Sequence, residues 1–75
     1  MFSKENFCQR LIESRNAISA TQVSVANAIG AKKQYISRWE KGIQEPTLTN
    51  LVALAAFFGV TTDYLLGLSD EPGKH

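Results

Sequence analysis

The chain is expected to fold as an all-α domain of five helices, and three observations carry that expectation. Apolar residues recur three and four apart and nowhere alternate as in a half-buried strand. The second to fifth apolar stretches each end on a glycine, at Gly30, Gly42, Gly59 and Gly67. Threonines stand where helices would start, at Thr21, Thr47 and Thr61, with Asp63 near the positive end of the last helix.

In order, the first helix starts at Ser3 or Lys4 and ends at Arg15 or Asn16, with Phe7, Leu11 and Cys8 facing inward. The second follows Thr21 and stops at Gly30; Val25, Ala26 and Ile29 share its inner face. The third spans Lys33 to Lys41, with Ile36 and Trp39 turned inward. This spacing makes Trp39 a core residue and argues against its stacking on a base. After the loop Ile43-Gln44-Glu45-Pro46, a fourth helix shows Leu48, Leu51, Leu54 or Ala55, and Phe58 at helical spacing. A short fifth helix follows Thr61. Residues 1–67 form the domain, and 68–75 read as a tail or the start of a linker.

Seventy-five residues with 44% hydrophobic content make one small domain with a real core. The single cysteine, Cys8, has no internal disulfide partner and reads as a small core residue, which fits a reducing cytoplasm. Lys4, Glu5 and Arg10 interrupt any leader-like run. The longest apolar run, residues 51–58, is too short to span a bilayer, so a cytoplasmic location is expected. Net charge is +1, but residues 1–41 carry +4 and residues 42–75 carry −3, so a basic face can exist on a nearly neutral molecule. The only histidine, His75, is terminal and expected to be inert. With no cysteine–histidine pair, paired carboxylates or glycine-rich phosphate loop, neither an enzyme nor a metal or cofactor site is expected.

The second and third helices, joined at Gly30, make a helix-turn-helix signature. The outer face of the third carries an amide and cations suited to base edges in a major groove. Lys33, Gln34, Ser37 and Arg38 are the candidate base contacts. Gln34 has the geometry to bond an adenine in two places, and Arg38 to bond a guanine or neutralise a phosphate. Ser37 allows close approach. Lys32 and Lys33 sit at the positive end of the third helix, against the dipole; phosphate or a guanine edge is the functional reading, solvated surface the alternative. Gln22, Lys32, Tyr35, Lys41 and Thr47 are the candidate backbone contacts, Gln22 at the positive end of the second helix.

Gln22-x-x-Val25-Ala26-x-x-x-Gly30, Ile36-Ser37-Arg38-Trp39-Glu40-Lys41-Gly42, Pro46-Thr47-Leu48, Leu54-Ala55, Phe58-Gly59-Val60 and Asp63-Tyr64-Leu65-Leu66-Gly67 occur in this order. Together they resemble the Cro and lambda-repressor-like helix-turn-helix family, over about residues 7–67. The chain departs from the pattern at Lys32, where a Ser or Thr cap is usual, and at Ser19, where Gly is frequent. The resemblance implies a lambda-repressor-like domain that binds a double-stranded DNA operator as a homodimer, as phage and mobile-element repressors do. It also implies an ion pair between Arg15 and Glu40 joining helices one and three, and a Gln22 that contacts phosphate and braces the third helix. Spare apolar residues at Ile43, Phe57 and Leu68 are candidate dimer surfaces. The alternative is an antitoxin-like module that grips a protein partner and has weak or lost DNA binding; a further alternative is the DNA-binding half of a longer repressor.

Overall fold

A side-chain oxygen takes up a free amide at the start of every helix but the third. Ser3, Thr21, Thr47 and Thr61 accept from the backbone N–H of Asn6, Ser24, Asn50 and Tyr64, whereas Lys32 offers no such bond. The computed structural model describes residues 2–73, so the expectation for His75 lies outside the described residues. The helices are α1 (Lys4–Ala17), α2 (Gln22–Ile29), α3 (Lys33–Lys41), α4 (Leu48–Phe58) and α5 (Thr62–Leu65). The first runs one residue beyond the expected end. The last is shorter than expected because Leu66 already closes it, its N–H returning to Thr62 O.

The turn between α2 and α3 is set by Gly30. At φ 73° it sits in the left-handed region, and the next amide, Ala31 N–H, donates to Ala26 O at 2.9 Å. Between α1 and α2 the same work falls to Ser19, the one described non-glycine residue with positive φ, at 55°.

The core is built from Phe7, Leu11, Val25, Ala26, Ile36, Trp39, Leu54, Ala55 and Leu65. Helix α2 packs on α3 and α4, while α1 packs on α3 and α5. Two inward assignments need correction. Cys8 is only half-buried, at the rim where α1 passes Gly42. Leu48 is 81% exposed: it is the first residue of α4, where the helix projects past the core, and Leu54 and Ala55 one to two turns later carry the burial.

Residues after α5 turn back onto the body. Arg10 Nη1 donates to Tyr64 O at 2.8 Å and Ser69 O at 3.0 Å, and its guanidinium lies 4.1 Å from the Tyr64 ring centre. Its ion pair with Asp70 is exposed on the acid side (99%) and adds little; the two carbonyls do more. Thr61 N–H donates to Pro72 O at 2.8 Å, which holds the returning segment.

Candidate nucleic-acid interface

Helix α3 has two faces with different duties. Ile36 (0% exposed) and Trp39 (2%) anchor one in the core. At about 100° per residue, Lys33, Gln34, Ser37, Arg38 and Lys41 spread over roughly 140° of the opposite surface. All are exposed except Ser37, which is half-buried.

A polar network holds the helix in orientation. Arg15 Nε donates to Glu40 Oε2 at 2.6 Å and Nη2 to Oε1 at 3.2 Å, while Gln22 Nε2 donates to Oε1 at 2.9 Å. Arg15 Nη1 donates to Ala20 O at 3.1 Å, so one guanidinium ties α1, the turn before α2, and α3. The hydrogen bond to Glu40 raises the Arg15 pKa and keeps the group charged throughout the accessible range. The side-chain amide of Gln22 is thereby committed to Glu40. Its backbone N–H and that of Val23 belong to the first turn of α2, where no intrahelical acceptor exists.

This arrangement decides where positive charge stands. Glu40, the only acid on α3, is occupied by Arg15 and Gln22, which leaves Lys32, Lys33, Arg38 and Lys41 as the exposed charges of the third helix and its lead-in. Arg10 counted toward the basic half of the sequence, but it is spent on carbonyls of the C-terminal segment and takes no part in this face. No local signal could have revealed this, because its partners lie 54–60 positions away.

Tyr35 flanks the same surface, 37% exposed, its ring stacked on Trp39 with centres 6.4 Å apart; the Arg38 guanidinium lies 5.7 Å from the Tyr35 ring centre. Beyond it α4 begins, where Thr47 Oγ1 accepts from Asn50 N–H at 3.1 Å. Gln44 and Asn50 join Tyr35, Trp39 and Thr47 in bordering a notch beside α3. Sequence reasoning passed over both; the signal was Asn50, a polar residue three past Thr47 at the head of an otherwise apolar helix.

A helix-turn-helix family profile matches residues 11–65. Over 66 residues the chain is 39% identical to the uncharacterized HTH-type transcriptional regulator YobD of Bacillus subtilis (strain 168), covering 88% of this chain and 59% of that protein. It is 36% identical over 59 residues to the cryptic phage CTXphi transcriptional repressor RstR of Vibrio cholerae serotype O1, covering 79% of this chain and 53% of that protein. Among solved structures, the P22 c2 repressor in complex with synthetic operator 9T superposes with a TM-score of 0.77 at 30% identity, covering 80% of this chain and 91% of that one. The chain thus spans little more than half the length of the two relatives.

Proposed function

The chain belongs to the helix-turn-helix family, with a lambda-repressor-like fold, and on that premise we propose that it is a sequence-specific DNA-binding transcription regulator of the phage-repressor type. The observation that carries this reading is the outward row of exposed Lys33, Gln34 and Arg38 with half-buried Ser37 among them, on a helix whose other face is pinned by Ile36, Trp39 and the Arg15–Glu40 pair. Helix α3 enters the major groove with Gln34 and Arg38 reading base edges, Lys33 beside them and Ser37 permitting close approach. Lys32, Tyr35, Lys41, Thr47 and the first turn of α2 at Gln22 hold the phosphates on either side.

A module of this kind buries about 600–1,000 Å² of protein surface on DNA, so a homodimer on a two-fold operator belongs to the proposal. Half-sites then lie about 34–36 Å apart. Ile43 (72% exposed), Phe57 (38%) and Leu68 (46%) are open to a second copy. No described helix is long and apolar enough to cross a membrane, in keeping with a regulator that works beside the chromosome in the cytoplasm. A second reading, a module that docks a protein, draws on α4: it carries no charged residue and exposes Leu48 and Val52.

Selection from a random duplex library at two salt concentrations tests the proposal. The expected result is an enriched palindrome that Gln34→Ala/Arg38→Ala no longer selects while retaining weak, salt-sensitive binding. An absence of enrichment, with little binding at low salt, would transfer the site to a protein partner.

A further inference from the structure

We propose that Tyr35 is a positioning residue for base readout: its ring, stacked on Trp39, holds the Arg38 guanidinium toward one base pair. The proposal rests on the DNA-binding reading above and deepens it by naming what makes Arg38 selective. Three residues of α3 form a continuous series from the core outward. Trp39 is 2% exposed and belongs to the core. The Tyr35 ring, one turn earlier and 37% exposed, is stacked on it, with centres 6.4 Å apart and planes at 23°. The Arg38 guanidinium in turn stands 5.7 Å from the Tyr35 ring centre, within reach of a cation–π contact.

Arg38 has little else to hold it. Both ion pairs among the described residues belong to other arginines, Arg10 and Arg15. Glu40, the acid on the same helix, is taken by Arg15 and Gln22. Glu45 borders the same hollow as Tyr35, yet no ion pair among the described residues joins it to Arg38. An exposed arginine left to itself samples many rotamers and must be ordered on docking, at a cost in affinity. Long side chains on a helix lean back over the preceding turn, which brings Arg38 over residue 35. A ring fixed there, offering its face to a planar cation, confines the guanidinium before DNA arrives. Its forked donors then meet both acceptors of a guanine only where that base lies beneath them. An unguided guanidinium also reaches phosphates and neighbouring bases, and discrimination falls. The two parts of Tyr35 therefore have separate duties. The hydroxyl is the group that meets a phosphate in the reading above, and the ring orients Arg38.

Tyr35→Phe keeps the ring and removes the hydroxyl, whereas Tyr35→Leu still covers Trp39 but removes the aromatic face. Both variants are compared with the intact wild-type chain on the selected duplex, each of its base pairs varied in turn. The base pair read by Arg38 is the one whose preference Arg38→Ala abolishes. Tyr35→Leu should lower that preference about two- to fivefold and leave the other base pairs unchanged, while Tyr35→Phe retains it. In the free protein, the ring current should place the Arg38 Nε–H proton upfield in wild type and Tyr35→Phe. In Tyr35→Leu it should return to its ordinary position. Should Tyr35→Leu fail to fold, the wild-type resonance alone decides, and an ordinary position overturns the inference. Equal preference in all three proteins, with affinity lowered evenly, overturns it and spares the DNA reading, leaving Tyr35 a phosphate contact. A loss confined to a different base pair overturns it in favour of direct base contact by Tyr35. A wild type that selects no duplex removes the DNA reading, and the positioning role with it.

Discussion

Arg15 grips Glu40 through both carboxylate oxygens, at 2.6 and 3.2 Å, with their side chains only 18% and 7% exposed. The pair crosses from α1 to α3 and is shared by Gln22 of α2, so it sets the orientation of α3 through three elements at once. Its worth to stability is asymmetric. Two charges removed together take their desolvation cost with them, whereas one left alone keeps it.

Arg15→Ala should therefore lower the stability by about 3 kcal/mol, because Glu40 is left with Gln22 as its only side-chain partner. Arg15→Leu combined with Glu40→Met should cost less than Arg15→Ala. Urea titration of the two variants provides the measurement, and a double variant no more stable than Arg15→Ala would show that the pair is not coupled.

Backbone strain offers a second test. Ser19→Gly should raise stability by about 1 kcal/mol, since φ 55° costs a side chain more than it costs glycine. Gly59 and Gly67 have similar φ, 71° and 78°, but a Cβ at Gly59 meets nothing within 4 Å and one at Gly67 comes within 2.8 Å of Asn6 Cβ. Gly67→Ala should thus melt lower than Gly59→Ala, each kilocalorie corresponding to about 4–8 °C in a domain of this size. Equal melting temperatures would mean that α1 yields freely near Asn6.

At Lys32 stability and binding are expected to pull apart. The residue occupies a cap position with no side-chain hydrogen bond. Lys32→Ser should stabilise the fold by about 1 kcal/mol through capping. It should also weaken binding evenly across DNA sequences and reduce the salt slope by about one. A change in sequence preference instead would move Lys32 from the phosphates to a base edge.

Burial pushes the Cys8 thiol above its ordinary pKa, outweighing the nearby Lys4, and Sγ donates to Trp39 O at 3.3 Å. The folded state therefore holds the thiol proton to higher pH than the unfolded chain does. The corresponding stability is present below the unfolded thiol's pKa and is lost as pH rises through the folded one, in the alkaline range. At pH 8, iodoacetamide should label native protein more slowly than protein in urea; faster labelling of the native state would contradict this assignment.

Helix starts and stops were legible because their causes are local. A threonine three residues before the amide it caps, or a glycine after the last apolar turn, acts within one turn of chain. The two faces of α3 were legible for the same reason: Ile36 and Trp39 leave their neighbours no other direction to point. Leu48 was misread because periodicity gives the phase of a face along α4 but not how far the core extends beneath it.

The sequence by itself determined where the helices lie and which side chains of α3 turn outward, since both follow from contacts within a few residues. Only the tertiary structure decided that Arg10 serves the C-terminal segment, that Gln22 joins the Arg15–Glu40 pair which the resemblance implied, and that the Trp39 indole nitrogen is left without a partner. Those facts depend on groups from different helices meeting at hydrogen-bonding distance, and a one-dimensional pattern of apolar and polar residues does not encode such distances.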